Sequence, residues 1–161
     1  MTLEVTNADK TDELFTHTLI GTVNITRLRQ DILDGKVEVE RTQSDLPHDH
    51  FAEVLETNYD IDVDKLRDWE RRLKAGDADI ISKLLEPIIL LDLGDDKNPL
   101  LMDGAHRLAI MCKYRADQFR AYIVSKKALE SYVVVIRYEG EVVSAQEILE
   151  RMYGVYAGAK H

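Results

Sequence analysis

With 161 residues, 45% of them apolar and 32% charged, the chain is long enough for one domain with a real core, and no apolar run approaches the roughly 20 residues that span a bilayer. Its net charge of −9 is concentrated in the first 60 residues, where 13 carboxylates stand against 5 basic groups, while 17 acids and 16 bases share the remainder. Such acidity excludes a general grip on a DNA backbone, which needs clustered Lys and Arg, and is compatible with a local anion site or an acidic surface for a basic protein partner.

Residues 1–10 lack the basic start and apolar stretch of a signal peptide, and the lone Cys112 has no intrachain disulfide partner, so a reducing, cytoplasmic setting is expected. Residues 1–13 are polar and aperiodic and read as a flexible start; 14–161 read as one domain. Residues 14–26, rich in Thr, Val and Ile, read as a strand. Residues 25–33 suit a short helix ended by Asp34-Gly35, and 36–41 alternate as a half-exposed strand does. Helix is expected over 44–75, with Ser44 or Asp45 as a cap, Pro47 in the first turn, and Phe51, Val54 and Leu55 at helical spacing. Asp62 caps a second helix there, whose stripe of Val63, Leu66, Trp69 and Leu73 is core; Gly76 closes it. A short helix over 78–85 is stopped by Pro87. His48-Asp49-His50 is no metal site, because positions i and i+2 of a helix point apart.

From Ile88 the pattern alternates. Residues 88–91 and 100–102 read as a hairpin joined by a turn rich in Gly, Asp and Asn, and 105–114 as a helix apolar on most faces, hence buried, with Cys112 as a small core residue. Residues 120–124 suit a strand, 126–131 a short helix and 132–138 a further strand. A helix over 144–153 is capped by Ser144 with Glu147 three positions on.

The candidate site is the junction Asp103-Gly104-Ala105-His106-Arg107, where a strand turns into the buried helix. The first turn of a helix leaves backbone N–H groups without partners and carries partial positive charge. Gly104 lets a ligand approach the backbone, and His106 and Arg107 add donors suited to phosphate oxygens. Two cations at a helix start oppose the dipole, which favours an anion beside them. Lys97 and Asn98, in the turn before the motif strand, read as a solvated tip; Arg120, on the next strand, extends the anion site better than Tyr114 or Arg115.

Residues 101–109 resemble the recurring element of the ParB/sulfiredoxin-like superfamily: a strand, an Asp-Gly-x-His-Arg turn and a buried helix. The resemblance extends over about 63–125, taking in a helix, a Gly turn and a proline-led strand before the motif and a strand after it. It implies an α+β domain with a small mixed sheet and flanking helices, and a nucleotide site at Gly104, Ala105, His106 and Arg107, taking ATP or CTP with Mg²⁺. Sulfiredoxins place their catalytic cysteine where this chain has Ala105, so that chemistry is excluded. The helix-turn-helix and dimerisation segment of ParB partition proteins do not follow the motif here, so DNA is not the expected partner. The free-serine kinase relatives share the motif's wording most closely, and they imply phosphoryl transfer or nucleotide hydrolysis with Asp103 and His106 as catalytic candidates and Asp103 organising Mg²⁺ or the nucleophile. A second carboxylate has no diagnostic context; Glu38 and Glu40 are candidates that read as solvated. The alternative class is a non-catalytic scaffold that meets its partner through the acidic N-terminal third. A nuclease would need clustered metal carboxylates and a basic track, and the sequence has neither.

Overall fold

In the computed structural model residues 2–17, 19–45, 62–94, 97, 99–114, 118–144 and 147 are described. In chain order their elements are β1 (Leu3–Thr6), β2 (Leu14–His17), β3 (Gly21–Asn24), α1 (Ile25–Leu33), β4 (Glu40–Asp45), α2 (Val63–Lys74), α3 (Ala78–Leu84), β5 (Ile88–Leu91), β6 (Leu100–Asp103), α4 (Ala105–Lys113), β7 (Gln118–Val124), α5 (Lys126–Leu129), a 3₁₀ turn (Glu130–Tyr132), β8 (Val135–Tyr138) and β9 (Glu141–Val143). The protein is α+β, with a mixed sheet and helices as expected. The chain divides into two compact units, Met1–Val37 with Leu129–His161, and Glu38–Ala128. Among the described residues no helix is long and apolar enough to cross a membrane.

The first unit is antiparallel. Its three-stranded sheet runs β1-β8-β9, and β2 and β3 form a separate hairpin. Two expectations change here. Residues 3–6, taken for part of a flexible start, pair with β8 from Leu3↔Tyr138 to Thr6↔Val135, because a remote strand supplies the ladder that local composition cannot announce. The expected strand over 14–26 folds back on itself: the Ile20 N–H bonds the His17 carbonyl at 3.1 Å, and His17 accepts from the Leu19 N–H through Nδ1. The β8–β9 turn, absent from the sequence reading, is Glu139-Gly140, both at positive φ as a two-residue hairpin turn requires. Helix α1 is as expected. Asn24 caps it by accepting from the Arg27 N–H at 3.1 Å, and Ile25, Leu28 and Ile32 form its buried stripe.

Tyr132, buried in this unit, donates its hydroxyl to Asp31 at 2.6 Å. Burial, and then that carboxylate, push the phenol well above its ordinary pKa. A native pKa raised above the unfolded value means a contribution fully present below about pH 10 and lost as pH rises through the native value. Tyr132→Phe is therefore expected to cost about 1–2 kcal/mol near neutrality. In urea titrations across pH, the gap between wild type and variant should close above about pH 10; a gap that stays constant there would refute the assignment.

The second unit carries the candidate site. Its sheet has the order β4-β7-β5-β6, with β4/β7 and β5/β6 antiparallel and β5/β7 parallel. All four residues of β5 and of β6 are buried, which explains the continuous apolar runs. Strand β4 lies at 40–45, displaced from the expected 36–41, because its position follows the ladder with β7 (Glu40↔Ile123 to Asp45↔Gln118) and not its own alternation. Ser44 and Asp45 thus lie in a strand, and the helix they were expected to cap lies outside the described residues. Pro47, the expected helical turns after it, and His48-Asp49-His50 lie outside the described residues, as does most of the expected 144–153 helix, although the Ser144 hydroxyl accepts from the Glu147 N–H at 3.0 Å.

Helix α2 starts where expected, with Asp62 accepting from the Lys65 N–H, and Asp77 likewise caps α3. Helix α4 is apolar on most faces because it has two neighbours to cover. Ala105 and Leu108 join Ile88, Leu90, Leu101, Phe119 and Ala121 against the sheet, while Ile110 joins Trp69 and Ile80 from α2 and α3. Met111 and Cys112 pack at the edge of the sheet cluster, and burial raises the Cys112 thiol pKa, as suits a core residue.

Candidate functional site

Strand β6 passes into α4 through a single residue. Gly104 has φ +106 and ψ +20, caps α4 without any side-chain hydrogen bond, and its carbonyl accepts the helix's first bond, from the Leu108 N–H at 2.9 Å. Helix geometry then provides the amides of Ala105, His106 and Arg107 with no acceptor inside the helix. The glycine is dictated from within the fold: a Cβ here would stand 2.5 Å from Ile88 Cγ2 and 2.9 Å from Arg107 Nη2.

The expected site residues divide into two groups. Asp103 and Arg107 come together as a buried ion pair, Nη2 to Oδ2 at 3.0 Å, with side chains 10% and 5% exposed. Arg107 Nη1 also reaches Glu86 at 3.2 Å, and Nη2 the Pro87 carbonyl at 3.5 Å, so the guanidinium expected to face phosphate is committed to the α3–β5 connection. Its Nε is the exception, buried with no hydrogen-bond partner among the described residues. The second group turns elsewhere. His106 accepts the Asp62 N–H through Nε2 at 3.0 Å, which ties the start of α2 to α4, and its ring lies 6.0 Å from that of Trp69. Arg120 donates to the Leu85 carbonyl, on the connection that Arg107 also holds.

Glu38 and Glu40 are exposed, Glu40 at the outer end of β4, and Lys97 is exposed as expected. Asn98 and Arg115 lie outside the described residues. Among the described residues no group of three or more His, Cys, Asp or Glu is placed to hold a metal ion. The carboxylate proposed for Mg²⁺, Asp103, has its Oδ2 engaged by Arg107.

Two cations near the junction escaped the sequence reading. Lys65 and Lys83 place their ammonium groups 5.1 and 5.2 Å from the centroid of the Trp69 ring, the ring His106 also approaches. The i,i+4 spacing of Lys65 and Trp69 on α2 was the available signal; Lys83, on α3, gave none. Glu86 was missed as well, since nothing local marks the residue before Pro87 as the partner of a helix start 21 positions away.

The sequence matches no protein-family model and no curated protein.

Proposed function

We propose that this protein is a phosphate-binding domain of the ParB/sulfiredoxin-like type that takes a nucleoside triphosphate at the first turn of α4. The observation that carries the reading is Arg107 Nε, a buried cationic donor with no acceptor among the described residues, at a helix start that has no side-chain cap. The order of proline-led strand, hairpin strand, Asp-Gly turn and buried helix supports the family likeness. Lys65 and Lys83 add positive charge at the neighbouring Trp69 ring.

The chain's own contributions are binding and orientation. Backbone amides of the first turn, Ala105 and Arg107 among them, meet phosphate oxygens, and the Asp103–Arg107–Glu86 array fixes the turn that presents them. His106 aligns α2 with that turn. A bound triphosphate would supply a phosphoryl group for transfer or hydrolysis. Asp103 fits a positioning role better than a protein-held Mg²⁺ site, since one of its oxygens is spent on Arg107.

The reading is tested with ATP, CTP and GTP, each with Mg²⁺, in thermal melts. A nucleotide at 100 times its Kd should stabilise the protein by about 2.7 kcal/mol, and Lys65→Gln with Lys83→Gln should weaken it. No shift from any of the three at millimolar concentration overturns the proposal.

A further inference from the structure

Four cations line one concavity of about 360 Å³ in the second unit: Arg67, Arg71 and Lys74 of α2 and Lys113 at the last residue of α4, around Glu70. In a chain of net charge −9 this is a local reversal of sign. It lies away from the junction, because Lys113 is about 12 Å along α4 from Ala105 at 1.5 Å per residue.

Glu70 offsets only one of the four charges. Both its oxygens are taken, by the Lys113 ammonium at 2.8 and 2.9 Å and by the Tyr114 hydroxyl at 2.8 Å, and the Lys113 contact holds its carboxyl below the usual range. Arg71 reaches Asp68 at 2.6 Å but is 72% exposed, so that pair is weak and free to rearrange. Arg67 makes no hydrogen bond or ion pair among the described residues, and Lys74 acts only through space, its charge helping to lower the Glu70 pKa. The last turns of α2 and α4 each carry roughly half a negative charge, which offsets part of the total. Against four cations, the carboxylates of Glu70 and Asp68 and two helix ends leave about one positive charge unmatched.

We propose that this groove binds a compact polyanion, the diphosphate or triphosphate portion of a small molecule. Positions 67, 71 and 74 form one stripe of α2 about 10 Å long, enough for two or three phosphates in series. Single-stranded nucleic acid needs a track of about four nucleotides or more, and the acidic remainder of the chain repels it. Guanidinium groups at 67 and 71 suit the forked geometry of phosphate oxygens, and the volume is that of a small-molecule cleft.

The test follows backbone amide resonances of the full chain as tripolyphosphate is added. Expected are saturable shifts at 67–74 and 113, weakened about tenfold or more in the Arg67→Gln, Lys74→Gln double variant and by added salt. Both residues are exposed, and an otherwise unchanged spectrum verifies the variant's fold. Undiminished shifts in the double variant, or tighter occupation of the groove by oligo-dT or an oligoglutamate peptide, overturn the proposal. So do shifts confined to 104–108, which would leave the nucleotide reading standing, whereas shifts confined to the groove would do the reverse.

Discussion

Arg107→Ala is expected to cost the fold about 3–5 kcal/mol, read by urea denaturation. The size follows from what the substitution leaves behind. Asp103 is 7% exposed, and without the guanidinium 3.0 Å away its carboxylate loses its cationic partner while still inside the protein. Glu86, half exposed, can turn to water and adds little. The Pro87 carbonyl loses a long bond of small value. Most of the loss therefore belongs to one buried carboxylate deprived of its cation, and removing the charge should recover much of it: Asp103→Leu with Arg107→Met is expected to lie closer to wild type than Arg107→Ala alone. A loss under about 1 kcal/mol for Arg107→Ala would show that the pair is not the structural unit its burial indicates.

Gly104→Ala is expected to destabilise by about 2–5 kcal/mol, the sum of two separate costs. A φ of +106° is a conformation that L side chains rarely adopt, and the new methyl would meet Ile88 Cγ2 at 2.5 Å, in a β5 side chain with no exposure. The costs can be separated. Ile88→Ala removes the Cγ2 that collides, so in a double-mutant cycle the pair should be less destabilised than the sum of the single variants, with the backbone component remaining. Strict additivity would remove Ile88 from the argument and leave the effect to the backbone and to the Arg107 Nη2 contact at 2.9 Å.

The elements legible in the sequence are those whose causes are local. Asp62 caps α2 from the position its sequence indicated, and α1 and α3 were bounded by Asp34-Gly35 and by Pro87; the caps Asn24, which was read as part of a strand, and Asp77 are seen only in the structure. The β5–β6 hairpin and the double-sided burial of α4 followed from apolar runs. What escaped depends on distant partners: β1 exists because β8 runs beside it, and β4 sits where β7 holds it. The candidate site divides along the same line. The strand-turn-helix junction was visible in five consecutive residues, but the direction of Arg107 was not. Its partner Asp103 is four residues back across a strand–helix boundary, where helix-face spacing does not apply, and its other partner follows the far end of α3.

The α3–β5 connection is gripped from two sides, by Arg107 of α4 at Glu86 and Pro87 and by Arg120 of β7 at Leu85. A surface connection is ordinarily the first part of a protein to open, since few interactions are lost when it does. Here a local excursion must release one arginine anchored in the buried helix and another anchored in the sheet. The Leu85 and Glu86 amides should therefore exchange more slowly than those of a surface connection held by its own backbone alone.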